Sequence, residues 1–111
     1  MNQERTSPEG PARAASLVES AAGSVVSRTL IDTDCGKVTL FSFDRGQQVS
    51  EHTTPYEALV LVLEGTALFR VAGVEHEVGA GELLLMPAGV PHSLSAPEPF
   101  RMLLVMIGKG S

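Results

Sequence analysis

The sequence predicts an all-β domain, a sandwich or barrel of short antiparallel strands. Short apolar runs recur along the chain, separated at close intervals by turn residues, chiefly Gly, Pro and Asp. No apolar pattern holds a helical period for longer than about two turns. Two of the runs, residues 58–63 and 102–107, are apolar on consecutive positions and suit strands covered on both faces.

The elements follow in order. Residues 1–16 carry almost no large apolar side chain and read as a flexible arm, with a single domain over residues 17–111. Residues 14–22 suit a short helical turn ended by Gly23, or else an edge strand begins near Ser24. Residues 25–31 are rich in β-branched side chains and form the first strand. Residues 32–36 form a turn, 38–43 the next strand, and Asp44-Arg45-Gly46 the next turn. Residues 47–53 read as a short polar strand broken by Thr54-Pro55. Strands at 59–63, 67–71 and 74–78 are joined by Glu64-Gly65 and Ala72-Gly73. Gly79-Ala80-Gly81 turns into 83–86, which Pro87 stops; residues 90–95 and 100–107 complete the set.

Composition narrows the class of function. A chain of 111 residues, 43% hydrophobic and 19% charged, supports one core. Trp is absent and there are four Phe and one Tyr, so aliphatic residues must fill most of that core. The net charge of −5, with no basic cluster, argues against nucleic acid and against an anionic membrane surface. The apolar runs are too short to span a bilayer, and residues 1–16 lack the apolar stretch of a leader. The single Cys35 reads as a turn thiol and fits a reducing compartment, so a cytoplasmic location is expected. One barrel covers only the inner face of a doubly apolar strand; covering the outer face calls for a second sheet, and a homodimer is expected.

Two spacings carry chemistry. Gly81, Pro87, Gly89 and His92 form G-x5-P-x-G-x2-H. Upstream, Gly46 precedes His52 by six residues and Gly65 closes the following apolar run. In this order the two patterns resemble the paired signature motifs of the cupins, over residues 36–107 or so. The resemblance implies a double-stranded β-helix, the jelly-roll barrel. In many cupins the motifs supply three His and one Glu that hold Fe, Mn, Ni, Cu or Zn inside the barrel. Here His52 and His92 keep their places. Thr54 stands at the second His position, Ala58 at the Glu position with Glu57 one place early, and Ala96 at the final Asn position. The turn-forming residues of the motifs are thus kept, while half of the usual metal ligands are replaced.

The resemblance therefore implies a barrel interior lined by His52, Thr54 and His92 that binds a small organic molecule. The alternative is a metal-dependent enzyme, a dioxygenase or isomerase, with a reduced ligand set of His52, His92 and Glu57. Glu57 joins that set only if the break at Pro55 turns it inward, since neighbours on a regular strand face opposite ways. A metal-free catalyst using a His as general acid/base, and a storage or structural role, are further readings. His76, between Glu75 and Glu77, reads as an exposed strand residue. No dinucleotide fingerprint, phosphate-binding loop, paired CxxC or nucleophile elbow occurs.

Overall fold

The computed structural model describes residues 10–108. Among them nine strands form two antiparallel sheets. They are β1 (Val25–Thr33), β2 (Gly36–Phe43), β3 (Gln48–His52), β4 (Glu57–Glu64), β5 (Thr66–Val71), β6 (Val74–Gly79), β7 (Leu83–Met86), β8 (His92–Ser95) and β9 (Phe100–Ile107). One sheet runs β1-β2-β9-β4-β7 and the other β3-β8-β5-β6. The all-β jelly roll expected from the sequence is what the chain forms. Of the arm expected over 1–16, residues 1–9 lie outside the described residues. Residues Ala14–Leu17 form a single 3-10 turn. The Arg101 guanidinium donates to the Ala15 carbonyl at 3.2 Å and that of Arg28 to the Leu17 carbonyl at 2.9 Å. Val18, just beyond, is buried.

Glycine turns set the strand ends. Gly46, Gly65, Gly81 and Gly89 all have φ near +80°, where an L side chain is strained. At Gly65 a Cβ would also collide with the Pro99 carbonyl and the Phe100 side chain, so only glycine allows β4 to turn into β5 there. The Gly81 amide donates to the Val62 carbonyl (2.7 Å) and the Gly46 amide to the Ala96 carbonyl (2.8 Å), fastening each turn to a strand. Between β5 and β6 both Ala72 (φ 52°) and Gly73 (φ 81°) are left-handed, the signature of a type I′ hairpin turn. Asp44 closes the start of β1 by accepting from the Gly23 and Arg45 amides. Those two hydrogen bonds hold its carboxyl below its ordinary range.

The core lies between the sheets. Ala58, Val60 and Val62 of β4 face Ala67 and Phe69 of β5, with Phe43, Phe100 and Met102 beside them. Phe43 and Phe100 stack with centroids 4.8 Å apart. The outer faces of the two sheets differ. On the four-stranded sheet the outer hollow is lined chiefly by polar side chains such as Gln48, Ser50, Arg70, Glu75 and Ser93. On the five-stranded sheet, register aligns two outward apolar rows. One is Ile31, Val38, Val105, Leu59 and Leu85; the other contains Leu40, Leu103, Leu61 and Leu83. Leu83 and Leu85 on the β7 edge are 62% and 69% exposed.

Candidate functional site

A cavity of about 380 Å³ occupies the barrel interior, and His52, Thr54 and His92 all line it. The two imidazoles come from neighbouring strands. His52 closes β3, His92 opens β8, and the two are direct cross-strand partners. Their ring centroids lie 4.3 Å apart in an edge-on arrangement.

A β-bulge makes this pairing possible. Val49 pairs with Leu94 and His52 with His92, so three steps on β3 match two on β8. Strict alternation from the inward-facing Val49 would aim Glu51 into the barrel and His52 outward. The extra residue shifts that parity and brings His52 inward beside His92. His92 is 7% exposed whereas His52 is exposed, so the pair runs from the cavity wall to its mouth. Tyr56 and Val49, also partly exposed, line the same opening. The Gly89 amide donates to the Thr54 carbonyl at 2.8 Å and so ties the second motif's turn to the segment that carries Thr54.

Each imidazole is oriented by its own backbone. Nδ1 of His52 lies 2.9 Å from the Ser50 carbonyl and Nδ1 of His92 lies 3.1 Å from the Val90 carbonyl. A carbonyl can only accept, so Nδ1 carries the proton in both rings. In the neutral rings Nε2 is then a free acceptor. Burial pushes the His92 pKa below its ordinary 6.5; the Val90 carbonyl acts the other way, and the nearby His52 lowers it further. Neutral imidazole is thus the favoured form of His92.

Glu57 does not join this group. It is the first residue of β4 and pairs with Ile107, while Ala58 pairs with Met86 and lines the cavity. Glu57 lies instead in a hollow on the opposite side, with Pro55, Tyr56 and Ile107. The break at Pro55 leaves the parity of β4 regular from Glu57 to Val62, and the inward turn that a carboxylate ligand requires does not occur. Among the described residues no group of three or more His, Cys, Asp or Glu is placed to hold a metal ion. Two imidazoles with centroids 4.3 Å apart, beside a threonine and an alanine, do not fit the three- or four-ligand set of a resident divalent ion. His76 is half-buried on β6 and lies outside the cavity, and Cys35 is exposed at the β1–β2 turn.

Sequence reasoning did not find the apolar wall. Phe41, Phe43, Phe69, Met86, Met102 and Met106 come from four different strands, β2, β5, β7 and β9, and meet only when the barrel closes. Their inward positions follow from alternation along each strand, but nothing local says that a space is left between them.

Comparison with known proteins agrees with this architecture. The cupin domain family model matches residues 39–107, and the chain belongs to the cupin family. A conserved protein of unknown function from Streptococcus pyogenes is 32% identical, with 99% of this chain and 95% of that one covered and a TM-score of 0.86. A cupin superfamily protein from Desulfitobacterium hafniense is 28% identical, with 98% and 100% covered and a TM-score of 0.88. A cupin 2 conserved barrel domain protein from Leptotrichia buccalis is 35% identical over 84% of this chain and 45% of its own, with a TM-score of 0.81. No curated protein matches the chain.

Proposed function

We propose that the protein binds a small organic molecule inside the barrel, with His52 and His92 as its polar anchors and Thr54 beside them. The observation that supports this most is the paired orientation of the two imidazoles. Both spend Nδ1 on their own backbone and keep Nε2 as an acceptor, at the wall of an otherwise apolar cavity. A cavity of this volume with a few convergent polar groups is the usual form of a ligand site. The proposal assigns binding without turnover. The alternative, a metal-dependent dioxygenase or isomerase, draws on the same two Nε2 atoms. It is disfavoured by Glu57 facing the other way and by Ala58 at the place of a carboxylate.

The protein is proposed to act as a cytoplasmic homodimer joined through the outer face of its five-stranded sheet. The exposed Leu83 and Leu85 continue rows of apolar side chains across that face and support such an interface. Among the described residues no helix is long and apolar enough to cross a membrane.

The test is an NMR screen of small organic compounds against the full chain. Hits are expected to shift the His52, Thr54 and His92 signals. Hits that cluster on another surface and leave these signals unmoved would refute the binding reading. A stoichiometric transition metal in protein purified without a chelating tag would favour the metalloenzyme instead.

A further inference from the structure

Resting on the reading of this cavity as a small-molecule site, we propose that its ligand is an uncharged phenol. The hydroxyl donates its one proton to an Nε2 of the imidazole pair and the ring lies among Phe and Met side chains.

The walls select against charge. Among the described residues no Asp, Glu, Lys or Arg lines the cavity. A carboxylate or phosphate entering it would exchange its water for apolar walls with no cation to replace it, a costly transfer. A polyol fails for a related reason, because most of its hydroxyls would face hydrocarbon without a partner.

The polar groups select for a donor. With Nδ1 of both rings bound to backbone carbonyls, the neutral pair leaves one Nε2 acceptor on each of two rings whose centroids are 4.3 Å apart. The matching group is an O–H, and a phenolic O–H is a stronger donor than an aliphatic one. An ether or ketone brings only an acceptor, which neither Nε2 can meet and which only the Thr54, Tyr56 or Ser93 hydroxyl could serve.

The apolar walls favour a ring. Phe41, Phe43 and Phe69 supply aromatic surface, and Met86, Met102 and Met106 supply polarisable sulfur that packs well on aromatic faces. Stacking on Phe100 holds Phe43 in place. At roughly 30 Å³ per water-sized group, a space of 380 Å³ holds about a dozen such groups, enough for one ring and a short substituent.

The experiment titrates the full chain, in the presence of a chelator, with para-ethylphenol, para-ethylanisole and para-ethylbenzoate. A pH of about 8 keeps imidazoles of ordinary pKa neutral and the benzoate ionised. Binding is read from the methyl signals of Met86 and Met102 in the cavity. The phenol is expected to bind about five- to tenfold more tightly than the anisole, the effect of one hydrogen bond. It is expected to bind at least about a hundredfold more tightly than the benzoate, whose charge would be buried unpaired. Removing both acceptors, with His52→Phe and His92→Phe together, should bring the phenol down to the anisole. Should that variant fail to fold, the ratio of phenol to anisole affinity in the parent chain still decides. Anisole binding as tightly as phenol, or benzoate binding more tightly, overturns the ligand class and leaves the cavity as a binding site. If none of the three probes moves the methyl signals, both readings fall.

Discussion

Restoring the two lost ligand positions gives a sharp test of where this barrel's side chains point. Thr54 and Ala58 line the same cavity as His52 and His92. The double substitution Thr54→His plus Ala58→Glu therefore aims a third imidazole and a carboxylate at the existing pair. Zinc binding to a four-ligand structural site contributes about 10–16 kcal/mol, or about 2.5–4 kcal/mol per ligand. Two added ligands have a ceiling of about 5–8 kcal/mol. Without partners to orient the new side chains about half of that is realistic, roughly a hundredfold or more in zinc affinity. The cost falls on the metal-free variant. Ala58 is 4% exposed and pairs with Met86, so a glutamate there is buried without a partner. That costs on the order of 3 kcal/mol, which for a domain near this size lowers Tm by roughly 12–24 °C. Calorimetric titration with zinc and thermal melts with and without zinc read both effects. The double variant should melt early, recover with zinc, and bind zinc far more tightly than the parent. Glu57→Ala added to it should leave zinc affinity unchanged, because Glu57 faces the other side. No gain in affinity, or a loss on removing Glu57, would mean that the strand faces have been misassigned.

Other consequences follow from individual residues. Ala72 holds φ 52° in a type I′ turn, so Ala72→Asn should raise stability by about 0.5–1 kcal/mol, read as an upward shift in Tm. His92 has a folded pKa below 6.5, so the unfolded chain takes up more protons between the two values. Stability should be full above pH 6.5, fall as pH drops below it, and fall less steeply in His92→Gln, as denaturant melts across this range would record. Leu85 is 69% exposed within the outer apolar rows. Leu85→Glu should convert a dimer to monomer in sedimentation while leaving the fold's circular dichroism unchanged, and a parent that sediments as a monomer would remove the interface proposal.

Much of the fold is written in local chemistry. Gly46, Gly65, Gly81 and Gly89 mark places where the backbone must be left-handed, and every turn between strands coincides with such a residue or with Pro, Asp or Ala-Gly. The doubly apolar runs of β4 and β9 call for cover on both faces, and the two strands pair near the middle of the five-stranded sheet. What stayed hidden depends on closure. The bulge between Val49 and His52 has no local signature, because Ser50 and Glu51 are ordinary exposed strand residues. Only the pairing with β8 reveals that the count is one too many. The parity after Pro55 was likewise undetermined by sequence, and the ladder with β9 and β7 sets Ala58 inward and Glu57 outward. The short turn Ala14–Leu17 is held by Arg28 and Arg101, the latter 86 residues further along the chain, a contact no local pattern announces.

The most direct test of the site is the protonation of its two imidazoles. Long-range proton–nitrogen NMR of the side chains distinguishes Nδ1–H from Nε2–H rings. In their neutral form both His52 and His92 should be protonated on Nδ1 and bare on Nε2, since each Nδ1 faces a backbone carbonyl. Addition of a bound ligand should shift the two Nε2 signals and leave His76 unmoved. Finding the proton on Nε2 of either ring would contradict the account, because the cavity would then lack its paired acceptors.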